Sequence, residues 1–554
     1  MNKGELRKIV FVLMAAAFWG GSCSKSSKPA PPRFFQSTGT KIAAFNDGKR
    51  LRLSTRTPAP EFSFSAPIDR ASVNGNILFR DGTGTNVPYN VSYKNNDSII
   101  LIQPASPLAP LTEFTITVTA ALEDVNNATL QNAAVLKFMT PIDSSDKFPV
   151  LPDDELLTLV QRQTFKYFWD FGHPVSGLAR ERNSSGETVT SGGSGFGIMA
   201  MVVAAERGFI TRAEGLARMQ KIVGFLKNTA AHFHGAYSHW LNGTTGQAQP
   251  FSAKDDGADL VETSYLMAGL LTAREYFNLP DAAETTLRND INFLWQRVEW
   301  SWFRKNNENV LYWHWSPNHN WEMNHQVRGW NECLITYVLA ASSPTHSIPK
   351  IVYDNGWAKN GGIVNGNSYE GHKLSLGEPY GGPLFFAHYS FLGIDPQQLT
   401  DAYANYWDQN RAHTLIHYKY CRNNTDWYGY SESNWGLTAS DDINGYKAHS
   451  PLNDNGVISP TAALSSFPYS PDESMKALRF FYYKLGDKLW GPYGFYDAFS
   501  LHEPWFASST LAIDQGPIIV MIENYRTGLI WDLFMSCPEV KAGMTSLGFT
   551  SPNL

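Results

Sequence analysis

Cysteine is scarce in this chain. Its 554 residues include four, Cys23, Cys333, Cys421 and Cys537, too few and too scattered for a disulfide framework or a thiolate metal site. Charge is scarce as well, at 17% Asp, Glu, Lys and Arg with a net of −6. That balance excludes a basic surface built for nucleic acid or an anionic membrane. Beyond the first two dozen residues no run is long and apolar enough to span a bilayer. No nucleophile elbow, Walker loop or convincing dinucleotide fingerprint occurs. His314, His319 and His325 do not have metal-ligand spacing, so neither a metal nor an organic cofactor is expected.

What is abundant is aromatic: 17 Trp, 25 Tyr and 33 Phe, 14% of the chain. Such a content at low charge suits a large core, and it also suits a groove that stacks neutral rings such as sugars. The length calls for two or more domains.

The chain opens MNKGELRKIVFVLMAAAFWGGSC. Lys3, Arg7 and Lys8 precede a short apolar stretch, then small residues and Cys23, a pattern that resembles a bacterial lipoprotein signal. Residues 1–22 are therefore expected to be removed and Cys23 lipidated; a plain secretory signal is the alternative. The mature protein is expected to be exported, as a periplasmic or outer-membrane-anchored lipoprotein of a Gram-negative bacterium. It would touch the membrane only through its lipid. Residues 23–38, rich in Ser, Lys and Pro, read as a tether.

Over 39–142 the pattern alternates with period two: EFSFS, NILFR, YNVSY, SIILIQP, EFTITVTA and VLKFMTP, separated by turn clusters. This predicts a small β-sandwich, and the segment resembles the bacterial Ig-like domains. From about 150 the period becomes helical. Six stretches repeat one plan, a Gly, Pro, Ser or acid cluster followed by an apolar helix: 191–205, 255–271, 328–341, 377–393, 456–467 and 512–525. Amphipathic helices are expected between them, at 154–171, 211–230, 281–300, 396–410 and 470–487. Apolar helices lie inside and striped ones outside, so 150–554 is expected to form an all-α (α/α)6 barrel. Its inner helices would present their N-termini, and the six clusters, at one end.

The densest acid cluster is DDGADLVE, residues 255–262. With a helix starting near Asp256, Asp255, Asp259 and Glu262 would share one face, and at least one should hold its proton to high pH. Asp256 is expected to be a bystander. Residues so spaced are only about 5–6 Å apart at Cβ. An inverting glycosidase needs acid and base roughly 6.5–9.5 Å apart. The partner should then come from another cluster, with Glu332 in RGWNECLI and Asp514 in IDQGPII as candidates. Asp514 could equally be an N-cap. Glu378, Asp497, Glu503 and Glu523 rank below these, as ligands of sugar hydroxyls or of Arg328 and Arg526. Candidate sugar contacts are Tyr237, His239, Trp313, His314, Trp330, Tyr380, His388, Tyr446, Phe495 and Trp505.

The stretches SGFGIMAM, DDGADLVETSYLMAGLL, GWNECLITYVLA, EPYGGPLFFAHYSFLGID and LAIDQGPIIVMIENYRTG resemble the bacterial glycoamylase-like domain, and more closely glycoside hydrolase family 144, the β-1,2-glucanases. The resemblance covers roughly 150–545. It implies an (α/α)6 barrel that hydrolyses β-1,2-glucan to sophorose and short sophorooligosaccharides with inversion, endo or exo, without metal or cofactor. It points to Asp255, Asp259, Glu262, Glu332 and Asp514 as the acids of the cleft and leaves open which is acid and which base. Our reading sets Glu332 as acid and Asp514 as base, in a monomer whose partner is the glucan. A polysaccharide lyase and a non-catalytic glycan-binding lipoprotein are the alternatives.

Overall fold

The computed structural model describes residues 31–554, so the signal segment and Cys23 lie outside the described residues. The chain divides into two compact units near residue 141.

The first unit is a two-sheet β-sandwich. A five-stranded sheet runs in the order 44–46, 51–53, 134–139, 113–118, 77–81. A four-stranded sheet runs 37–41, 61–64, 99–104, 89–94. All six runs with period-two alternation are strands. Phe62, Phe64, Phe79, Ile100, Ile102, Ile116 and Phe138 fill the core between the sheets, each flanked by residues that face outward, as the pleat requires. Two features differ from the sequence reading. The short strands before residue 61 carry no alternation that marks them. The tether is also shorter than residues 23–38, because Phe34–Phe35 pairs in parallel with Thr129–Leu130 and Phe35 is buried.

The second unit is helical. Ser191–Glu206, Leu260–Tyr276, Leu334–Ser342, Pro460–Leu464 and Ala512–Arg526 are inner helices, buried along nearly their whole length. Asp153–Trp169, Arg212–Asn228, Ala282–Gln296, Lys350–Asn355, Tyr406–Asn423 and Pro471–Arg479 lie outside them. Outer helices carry caps that fix their starts. Thr211 and Glu214 form a reciprocal capping box, and the Asp281 carboxylate accepts from Ala283 and Glu284 N–H.

The fourth inner segment is not a continuous helix. It breaks into turns at Pro379–Gly381, Leu384–Ala387 and Ser390–Leu392, because Pro379 and Pro383 bracket Gly381 and Gly382, whose φ are +94° and +80°. The fifth stretch holds a helix only over Pro460–Leu464. Ser466 Oγ bonds back to Ala462 O at 2.8 Å, a side-chain bond that competes with the helical ladder.

The outer helix expected at 396–410 instead spans Tyr406–Asn423. Asp395 accepts from Gln397 N–H and turns the chain, and Asn405 caps the true start through Asp408 N–H. Two further helices, Leu529–Ser536 and Pro538–Leu547, extend past the last expected one and pack on the 260–276 and 334–342 helices respectively.

Candidate active site

The acids gather where inner helices begin. Asp259 is the N-cap of the 260–276 helix, its Oδ1 accepting from Glu262 N–H at 2.9 Å. The helix thus starts later than the sequence reading placed it. Asp255 and Asp256 stand in the preceding loop, so the acids do not share a single helix face. Loop and helix still converge, because residues 258–259 pair with His314–Trp315 as a two-stranded ribbon. That pairing swings His314 onto the acids: its Nε2 lies 3.3 Å from Asp255 Oδ2 and 3.7 Å from Asp259 Oδ2.

His239 closes the other side, Nδ1 to Asp259 Oδ2 at 3.1 Å. Burial alone would lower the His239 imidazole, but Glu262, the hydrogen bond to Asp259 and the charge of Asp255 outweigh it and push it up to about 9. His239 is therefore a cation at neutral pH. Asp259 is its anion: burial opposes ionisation, yet the His239 bond and the nearby imidazoles hold it below the usual carboxylate range. Asp255 is pushed up to about 7 by burial and by Asp259. Glu262 is raised by burial, although Gly192 N–H donates to its Oε2 at 3.0 Å. Gly192 must be glycine here, since a Cβ would sit 2.2 Å from that oxygen. Asp256 is drawn aside by Asn318 Nδ2 at 2.6 Å.

Glu332 precedes the 334–342 helix. It is half-buried, and burial pushes its pKa up to about 7, with Glu262 and Asp259 adding to the effect. Asp514 sits in the first turn of the 512–526 helix and is not its cap, which is Leu511. It is 2% exposed, and its pKa is driven well up by burial and by Asp497.

Three rings from three inner segments, Phe196, Tyr265 and Tyr389, pack together with centroids 5.1–5.9 Å apart. Tyr389 is within electrostatic reach of Asp514 and of Glu332 and Glu262, so it lies between the two acid groups. A cavity of about 320 Å³ reaches partners of both acid groups, His239 beside Asp259 and Tyr446 near Asp514. His239, Trp240 and Phe251 border it on one side and Arg182, Tyr446 and Ile513 on the other. A second cavity of about 550 Å³ shares Arg182 and Tyr446 and continues to Trp505 and Phe506. A further cavity of about 640 Å³ lies at the opposite ends of these helices. There Arg526 pairs with Asp154 and Arg207 with Glu523, and the lining holds none of the acids above.

Among the described residues, the ligand atoms of His239, Asp255 and Asp259 come within 4.8 Å of one another, a span that could hold a metal ion. These atoms already have partners: His239 binds Asp259, and His314 faces Asp255.

Of the expected sugar contacts, His239 and Tyr446 line the first cavity, and Trp505 joins Tyr446 in the second. His314 adjoins the acids, and Trp313 stacks on His314 and His325. Tyr380 is half-buried against Tyr369, at a strained φ of +65°. Four others belong to the core. Tyr237 is fully buried, with its hydroxyl bonded to Leu226 O and Arg297. His388 is buried against Ser466 Oγ at 3.0 Å. Phe495 packs against Phe481 and Trp490, and Trp330 against Trp357 and Phe391. Composition marks such residues as sugar-like, and only the tertiary structure shows that they are packed among other side chains.

Glu523 does not pair with Arg526; it accepts from Arg207 and Gln161. Sequence reasoning missed Arg182, Asp441 and Tyr389. Arg182 bridges Glu181 and Asp441 at 2.9 and 3.1 Å. Arg182 and Asp441 belong to a loop and a short strand outside the six clusters, Tyr389 is one aromatic among several in its segment, and only the closure of the barrel brings them together.

Comparison with known proteins follows the same division of the chain. A family model described as "Putative glucoamylase" matches residues 324–538, and a bacterial Ig-like domain model matches residues 51–140. A Bacteroides uniformis crystal structure of the same glucoamylase description is 58% identical, covering 74% of this chain and 100% of its own, with a TM-score of 0.72. The endo-β-1,2-glucanase of Chitinophaga pinensis, solved with sophorotriose and glucose, is 53% identical over 73% of this chain and 100% of its own, also with a TM-score of 0.72. The exo β-1,2-glucooligosaccharide sophorohydrolase of Parabacteroides distasonis is 47% identical over 427 residues, 73% of this chain. The match spans 59% of that relative's length.

Proposed function

The chain belongs to the glycoamylase-like family, glycoside hydrolase family 144, and on that footing we propose that its helical domain hydrolyses β-1,2-glucan to sophorose and sophorooligosaccharides. The observation that carries this reading is one aromatic-bordered cavity whose lining residues adjoin acids on two sides, His239 bonded to Asp259 on one and Tyr446 near Asp514 on the other.

In this reading Glu332 is the general acid. A group with its pKa near 7 is protonated at the start of the cycle and can give its proton to the leaving glycosidic oxygen. Asp514 takes a proton from the water that attacks the anomeric carbon from the other face, which inverts the configuration. Asp255, Asp259 and Glu262 form the opposing wall. With His239 as their cation, that wall carries less net negative charge than its acid count implies, and protonated carboxyls can donate to sugar hydroxyls as well as accept.

The test is incubation with linear β-1,2-glucan, following product length and anomeric form over time. Sophorose alone from the outset marks exo action and mixed lengths mark endo action. Intact glucan would overturn the reading, and unsaturated products absorbing in the ultraviolet would replace it with a lyase. We further propose that the protein is exported and held at a membrane by a lipid on Cys23, a reading supported by the order of residues 1–23.

A further inference from the structure

Asp497 comes to lie against Asp514. Both are buried, 3% and 2% exposed. Asp497 Oδ2 accepts from Asp441 N–H at 2.6 Å, and Asp441 is gripped in turn by Arg182 at 3.1 Å and by Ser509 Oγ. The remaining oxygen of Asp497 and both oxygens of Asp514 are buried and receive no hydrogen from another group of the described residues. The two carboxyls are within hydrogen-bond reach of each other. The charged and titratable groups around the pair are Asp441, Arg182 and the phenols of Tyr389 and Tyr446. Arg182 is already divided between Glu181 and Asp441.

Two ionised carboxylates cannot hold a buried contact, because each would repel the other with no solvent to screen it. We propose that Asp497 and Asp514 share a single proton, so that the two stand on the cleft wall as one monoanion and Asp497 is a positioning residue for Asp514. The proposal rests on the reading of Asp514 as the base. Burial raises both groups; Asp497 pushes Asp514 further up, whereas the hydrogen bonds from Asp441 N–H and from Asp514 pull Asp497 back to about 7. In the hydrolytic step the attacking water breaks one O–H bond, its proton goes to the monoanion to give a neutral pair, and its oxygen bonds to the anomeric carbon. The glycosidic bond electrons leave on the departing oxygen, which takes the Glu332 proton.

Asp497→Asn tests this in the full chain. The Asp441 N–H can face only an acceptor, so it holds the amide oxygen, and the amide N–H₂ is then aimed at Asp514 in place of the shared proton. Asp497→Asn is expected to keep kcat on β-1,2-glucan within about tenfold of wild type. Asp497→Ala, which removes the donor, is expected to lose roughly 100-fold in kcat with KM changed less than about threefold. Infrared difference spectra of wild type against Asp497→Asn, and independently against Asp514→Asn, are expected to show one protonated-carboxyl stretch at neutral pH that each variant lacks. That band is read without substrate, so it decides the proton sharing even if the glucan is not cleaved or one variant does not fold. An Asp497→Asn enzyme as inactive as Asp514→Asn, or a wild type without the band, overturns the proposal.

Discussion

His239, half-buried at the cavity, and the buried Asp259 form an ion pair, Nδ1 to Oδ2 at 3.1 Å, in the middle of the acid wall. The cation comes from the loop before one inner helix, and the anion is the cap of that helix. One imidazolium thus lets three neighbouring acids occupy a space that would otherwise force most of them neutral.

The pair makes stability depend on pH. His239 is raised from 6.5 to about 9, so its contribution is complete below pH 6.5 and is lost as pH rises through about 9. Urea midpoints of wild type are expected to fall across that window, and His239→Gln is expected to flatten the decline. An equal slope in both proteins would refute the assignment.

Glu332 sets the alkaline limb of activity. A general acid raised from 4.5 to about 7 must be protonated to work, so kcat/KM is expected to fall about tenfold per pH unit above 7. Glu332→Gln is expected to lose roughly 10²–10⁴ in kcat on unactivated glucan. Activity on a substrate with a good leaving group should recover much of that loss, and absence of recovery would argue against the role.

Asp514→Asn is expected to lose a similar factor, about 10²–10⁴ in kcat. Because the base acts on water, a better leaving group should not rescue it. Comparing the two variants on both substrates separates acid from base.

Gly195 and Gly269 carry the contact between two inner helices. A Cβ on Gly195 would fall 2.1 Å from Tyr265 O, so Gly195→Ala is expected to destabilise by about 1–3 kcal/mol or more. Gly224, in an outer helix with nothing within 4 Å, is the control. Gly224→Ala is expected to stabilise by about 0.4–1 kcal/mol. Chemical denaturation of both measures the contrast.

Cys23 is testable in cells. Cys23→Ser is expected to abolish incorporation of labelled fatty acid and to release the protein from the membrane fraction. Labelling that persists in the variant would rule out Cys23 as the anchor.

Much of the site could be read from the chain because the barrel gives each inner helix the same local grammar. An acid or glycine cluster ahead of an apolar run marks a helix mouth, and Asp259, Glu262, Glu332 and Asp514 all occupy such mouths. The same grammar misled where the local sequence competes with the helix, as at Pro379 to Pro383 and at Ser466, and where capping at Asn405 moved a helix start past Pro396.

The sequence by itself determined the two architectures and the end of the barrel where chemistry gathers. Period two and period 3.6 are written residue by residue, and a buried helix mouth needs polar groups wherever it lies. Tertiary structure alone decided which carboxyls face one another. It set His239 against Asp259 and Asp497 against Asp514, and it buried Tyr237, His388, Phe495 and Trp330. Protonation and ligand access depend on the distance between groups far apart in the chain and on the water excluded around them. No local pattern encodes either.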